Sequence, residues 1–147
     1  RQFRRFFYAL MLCGRLLKFI KNTVLHSLLL HHLQARLFMI KYKNPFKAQT
    51  LLAGDVIAYE APINTISQVR ACTFHNTSVS NISIEVFVVP ANVELVATAQ
   101  RLIRKTLAQN ESYLCPEIIN HVLESGTKVY FRGEGVNAML SVMEQPV

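Results

Sequence analysis

The sequence has no tryptophan, five glycines and a single aspartate, Asp55, among its 147 residues. One aspartate excludes an Asp-rich calcium loop, and so few glycines exclude a collagen repeat or a Gly/Ser linker. Cysteine is scarce too. Cys13, Cys72 and Cys115 are an odd count with no two close together, which reads as free thiols in a reducing compartment. The most telling absence is local: residues 1–54 hold ten basic residues and no acid, whereas the remainder holds nine acids and six basic residues. What is present is ample apolar material. Hydrophobic residues make up 51% and charged residues 17%, so the composition is not that of a disordered chain. The length allows one domain, or one small domain plus an appendage.

The charge reversal divides the chain into a basic hydrophobic segment, residues 1–44, and a mildly acidic domain, residues 45–147. Residues 1–38 are rich in Leu, Phe and Arg, lack proline and contain only Gly14, a composition that reads as helix. The 3.6-residue period is only partly kept. Arg15, Lys18 and Lys21 interrupt the apolar run well before the roughly 18–20 residues that span a bilayer. No small-residue cleavage site of the signal-peptide type follows. Three readings stand for this segment. It is a membrane-surface amphipathic helix, a basic arm for nucleic acid, or an extension foreign to a natural product that starts at Met39. In the first two, Arg4, Arg5, Arg15, Lys18 and Lys21 meet phosphates while Phe3, Phe6, Phe7 and Tyr8 insert or stack. Membrane or nucleic-acid binding therefore enters only through residues 1–47, as the alternative function.

From Leu51 onward the period becomes 2. Strand-like runs cover Val56–Glu60, Thr65–His75, Ile82–Val89, Gln100–Leu107, Thr127–Arg132 and Val136–Met143, rich in β-branched residues. Polar turns separate them, among them Asn76–Asn81, read as a hairpin loop, and Arg132-Gly-Glu-Gly135, read as the turn of a last hairpin. Pro116–Leu123 reads as a helical turn with proline in its first position. Short strands with frequent polar turns give an all-β class, a β-sandwich or jelly roll behind a basic, helical segment. In Ile82–Val89, one face carries Ile82, Ile84, Val86 and Val88. The other carries Ser83, Glu85, Phe87 and Val89, a mixture that points to another subunit.

The residues that carry chemistry form no diagnostic pattern. His31 and His32 are adjacent, and His26 lies five positions before His31, so none of them makes an i, i+4 clamp. No HExxH, CxxC, G-x-S-x-G, Walker or dinucleotide motif occurs. Cys72–His75 and Cys115–His121 are the only conceivable nucleophile pairs, and nothing in the sequence activates either thiol. The carboxylates Asp55, Glu60 and Glu85 sit in no acid/base motif. No catalytic residue, cofactor or metal site is expected. Asn76-Thr-Ser, Asn81-Ile-Ser and Asn110-Glu-Ser match the glycosylation pattern and read as chance matches in polar turns.

The order of segments carries a resemblance. It runs from Leu51-Leu-Ala-Gly-Asp-Val-Ile-Ala-Tyr-Glu-Ala-Pro through Phe74-His-Asn-Thr-Ser and Ile84-Glu-Val-Phe-Val-Val-Pro. Leu107-Ala-Gln-Asn-Glu-Ser-Tyr and Val122-Leu-Glu-Ser-Gly-Thr-Lys-Val-Tyr-Phe complete it. This order resembles the small β-sandwich accessory proteins of tailed-phage virions, head decoration or cement proteins and tail components. It covers residues 50–145, and it departs at Thr127, where many such chains have Asp. The resemblance implies a non-enzymatic virion protein, a homo-oligomer bound to capsid or tail proteins. The expected subunit contacts are Phe87 and Val89 on the mixed face, with Tyr59, Tyr113, Tyr130 and Phe131, of which Tyr130 and Phe131 alternate so that at most one faces outward.

Overall fold

The structure is a computed structural model and describes residues 39–95 and 98–147. Arg4, Arg5, Arg15, Lys18 and Lys21, and the helical reading of residues 1–38, lie outside the described residues.

Among the described residues nine strands form in chain order: β1 (Lys41–Thr50), β2 (Val56–Glu60), β3 (Thr65–Asn76), β4 (Ile82–Val89) and β5 (Arg101–Leu107), then β6 (Ser112–Leu114), β7 (Val122–Leu123), β8 (Lys128–Arg132) and β9 (Val136–Pro146). They make two antiparallel sheets. The five-stranded sheet has the order β1-β9-β3-β6, with β7 also on β3; the four-stranded sheet has the order β2-β8-β4-β5. Pairs nest from the outside inward: β1 with β9, β2 with β8, β3 with β6, β4 with β5. That is a two-stranded ribbon rolled onto itself, the jelly-roll arrangement. The described residues are therefore all-β, as their alternation predicts.

The rolled ribbon changes the meaning of the turns. Asn76–Asn81 joins β3 to β4, and Gly133–Gly135 joins β8 to β9, yet in each case the two strands belong to different sheets. Both segments are corners between sheets and not hairpin loops, because only β4 and β5 are consecutive partners. At the second corner Gly133 has φ 151°, and a Cβ there would stand 2.9 Å from Ile84 Cγ2. Only glycine lets the chain cross that close to β4.

The inner faces meet in a core of aliphatic and aromatic side chains, including Val69, Phe74, Ile84, Val86, Leu107, Val129, Phe131 and Leu140, all without exposed surface. Phe131 of β8 packs edge-on against Phe46 of β1 and Phe74 of β3, with ring centroids 5.6 and 4.9 Å apart. Such edge-to-face geometry satisfies the ring quadrupoles and ties the two sheets together.

Three local expectations are corrected. Strand β1 begins at Lys41, inside the stretch read as the basic segment. It escapes a period-2 reading because Phe46 is its single buried residue; an edge strand carries little inward alternation. The Pro116–Leu123 stretch is not helical. Residues 116–120 form turns, with Ile119 N–H donating to Pro116 C=O and His121 N–H to Ile118 C=O, and Val122–Leu123 then pairs with β3. Ser112–Leu114, read as part of a turn and its flank, is also a strand, too short for its own periodicity to show.

Candidate subunit interface

The solvent face of the five-stranded sheet is built by register. Tyr42 lies opposite Met143, Met143 opposite Gln68, and Gln68 opposite Val122, so one row crosses β1, β9, β3 and β7. Directly opposed residues share a face. The adjoining row pairs Ile66 with Gln145. Tyr42 is 74% exposed, Val122 59% and Ile66 43%; Ile40, just before β1, is exposed as well. An apolar band with glutamines between its members thus lies open on this sheet. Arg70 closes one end of it, hydrogen-bonded to Gln68 Oε1 and Asn120 Oδ1.

The sheet edges are treated differently from this face. Edge strand β1 carries Lys41, Lys43 and Lys47, contains Pro45 and breaks register twice against β9. Lysines, proline and bulges are the devices that keep an edge from pairing with another chain. On the four-stranded sheet, edge strand β5 carries Arg101, Arg104 and Lys105. These two edges are guarded and the face is left apolar.

The opposite solvent face, on the four-stranded sheet, is occupied by charge. Buried Glu85 of β4 accepts Arg101 at 3.1 Å, Arg104 at 3.5 Å and Arg132 at 2.9 Å; Arg132 also reaches Asp55 at 2.7 Å. The Arg132 guanidinium lies 5.0 Å from the centroid of the Phe87 ring, a cation–π placement. This arrangement accounts for the mixed face of β4. Its glutamate is the shared partner of three guanidiniums, and its phenylalanine lies under one of them.

The expected contact residues are distributed accordingly. Phe87, Val89 and Phe131 have no exposed surface, so the mixed face of β4 is not open to a partner at Phe87 or Val89. Phe131 points inward and Tyr130 outward, with Tyr130 and Tyr113 half-buried. Tyr59 is buried at one end of the sandwich, where its hydroxyl donates to Glu144 Oε1 at 2.9 Å and lies 2.7 Å from Ser67 Oγ. With its proton given to the carboxylate, the phenol oxygen accepts from Ser67. Burial first, and then the Glu144 carboxylate, push the Tyr59 phenol above its ordinary range, so it remains a donor. Lys43 completes the group at 2.7 Å from Glu144 Oε2. The open band of Tyr42, Ile66 and Val122 was missed in sequence, because a row running across four strands leaves no local spacing.

The conceivable nucleophile pairs are separated. Cys72 is buried on the inner face of β3, whereas His75, an odd number of residues on, points to the outer face and meets Ser112 Oγ at 2.9 Å. A hydrogen bond donated by the Cys72 thiol to Cys115, together with burial, pushes that thiol far above its ordinary range, the reverse of an activated nucleophile. Among the described residues, no three His, Cys, Asp or Glu side chains converge as a metal site would require. Asn76 is fully buried and its amide is saturated with protein partners, which closes it to glycosylation in the folded chain.

No family model matches the chain, and no curated protein matches it. Among solved structures, the chain is similar to one described as Bacillus endospore appendages that form a family of disulfide-linked pili. Identity there is 12%, 75% of this chain and 90% of that chain are covered, and the TM-score is 0.44. It is also similar to the tobacco streak virus coat protein, at 9% identity over 74% of this chain and 88% of that one, with TM-score 0.33. A third likeness is to infectious bursal disease virus of the Gx strain, at 11% identity and TM-score 0.36, covering 72% of this chain and 31% of that one. These similar structures are of pili, a virus coat protein and a virus, and no tailed-phage accessory protein is among the three.

Proposed function

We propose that this chain is a non-enzymatic structural subunit that packs the open face of its five-stranded sheet against a neighbouring copy in a virion or comparable extracellular assembly. A capsid decoration, cement or tail accessory subunit is the finer reading, from the resemblance of residues 50–145. One observation carries the proposal: the row of Tyr42, Met143, Gln68 and Val122, exposed at Tyr42 and Val122 and half-buried between them, with exposed Ile66 beside it. Contiguous apolar surface of this kind on a soluble domain marks an interaction site. The lysine-guarded β1 edge directs association to the face and away from strand addition. Tyr113 and Tyr130 keep part of their surface for secondary contacts.

Sedimentation velocity of the full chain against a Tyr42→Asp/Ile66→Asp double variant tests this reading. Both side chains are exposed, so the variant keeps its β circular dichroism. Concentration-dependent association of the wild type, lost in the variant, is the expected result. Identical monomers at all concentrations would overturn it.

A further inference from the structure

Cys72 and Cys115 stand 43 positions apart in sequence and face each other in space. Strand β6 pairs with β3 through Thr73 opposite Leu114 and Phe74 opposite Tyr113. Continuing that register by one position places Cys72 opposite Cys115, and the Cys115 N–H donates to the Cys72 C=O at 3.0 Å. A hydrogen-bonded antiparallel pair has its Cα atoms about 5.5 Å apart, inside the range a disulfide spans. Both side chains are free thiols without exposed surface, and the two thiols are within hydrogen-bonding reach of each other.

We infer that Cys72 and Cys115 are a disulfide-forming pair, closed by exchange with a small-molecule disulfide to lock strand β6 onto β3. The route follows from the topology. β6 is a three-residue strand at the edge of its sheet, and such elements open locally at low free energy. When it opens, the Cys115 thiol loses its proton and attacks one sulfur of a disulfide R–S–S–R, releasing R–S⁻ and leaving a mixed disulfide. The Cys72 thiolate then attacks the Cys115 sulfur and expels the second R–S⁻. The two protein sulfurs are oxidised by two electrons in total, R–S–S–R is reduced to two thiols, and both protons pass to solvent and then to the released thiolates. Reclosure of β6 returns the bond to the interior, away from reductant. The pair fits an oxidising compartment, contrary to the reducing one read from the cysteine count, and it stands independently of the assembly role.

The test uses the full chain carrying Cys13→Ser, so that only this pair can react. The protein is incubated with oxidised glutathione, denatured without reductant, alkylated with iodoacetamide and weighed intact. The expected product takes up no alkyl group, is about 2 Da lighter than the reduced form, and yields a Cys72–Cys115 cross-linked peptide on digestion. Its thermal midpoint lies several degrees above that of the reduced protein, as a loop closure of this length implies. Two alkyl groups after exhaustive oxidation, a persistent glutathione adduct, or covalent dimers through either residue would each overturn the inference. Chemistry and melting are both read on a chain that keeps Cys72 and Cys115, so a folding defect in a cysteine variant cannot obscure the outcome.

Discussion

Val86 sits between Ile103 of β5 and Phe131 of β8 in register, with no exposed surface. Val86→Asp would bury a carboxylate with no partner, at a cost of several kcal/mol, against a total stability of about 5–15 kcal/mol for a domain of this size. The expected outcome is an unfolded chain at neutral pH, read by loss of the cooperative thermal transition. Asn76 is the polar counterpart. Its Nδ2 donates to the carbonyls of Ser80, Leu107 and Ala108, while its Oδ1 accepts from Ser78 N–H and Oγ. One amide therefore fastens the β3–β4 corner to the end of β5. Asn76→Ala removes the one donor these carbonyls share and should cost about 3 kcal/mol, measured as a lower urea midpoint with an unchanged slope.

Strand β1 is the element held most lightly on its side-chain side. Nine of its ten residues are exposed, and Phe46 alone enters the core, edge-on to Phe131. Phe46→Ala should cost about 3 kcal/mol and speed hydrogen exchange along β1 and the facing amides of β9 while leaving β4 protected. The segments on either side of β6 depend instead on carboxylates. Glu111 is held below its ordinary value of 4.5 first by the Ala108 N–H and then by Lys105; Glu117 is held below its own first by the Tyr113 hydroxyl. A lowered carboxylate adds stability that is present above the unfolded value and lost as pH falls below it. Exchange protection in β6 should therefore fall as pH drops below 4.5, before the core strands respond.

What the sequence reveals follows the same division. Strands buried on one side, such as Val136–Pro146 with its strict buried and half-buried alternation, announce themselves through period 2. Strand β1, with one inward residue, and β7, with two residues in all, carry no periodic signal. The apolar band was hidden for a related reason, since Tyr42, Ile66 and Val122 become neighbours only through cross-strand register. The Cys72–Cys115 apposition depends on the β3–β6 pairing, which no spacing along the chain encodes.

For the whole molecule, the two solvent faces predict opposite phenotypes. Phe87→Ser removes a ring buried beneath Arg132 and should lower stability by about 3 kcal/mol in dilute monomer. Tyr42→Asp changes an exposed side chain and should leave the melting temperature of dilute protein within a few degrees while weakening association. Running both variants at low and high protein concentration separates folding from assembly, because only an interface residue makes the difference from wild type grow with concentration.

The nested pairing also sets the order in which the molecule can be made. Strand β1 finds its partner only in β9, and β2 only in β8. During synthesis the early strands therefore wait, with lysine-lined β1 and the inward face of β2 unpaired, while the centre of the ribbon, β4 with β5, is complete. Domains dominated by such distant pairings fold slowly, and the waiting chain exposes its apolar strands to neighbours. A chain stalled on the ribosome before Val136 would hold all four strands of the β2-β8-β4-β5 sheet while β1 and β3 still lack the strand that lies between them, whereas extension past Pro146 supplies β9 and lets the roll close from its open end.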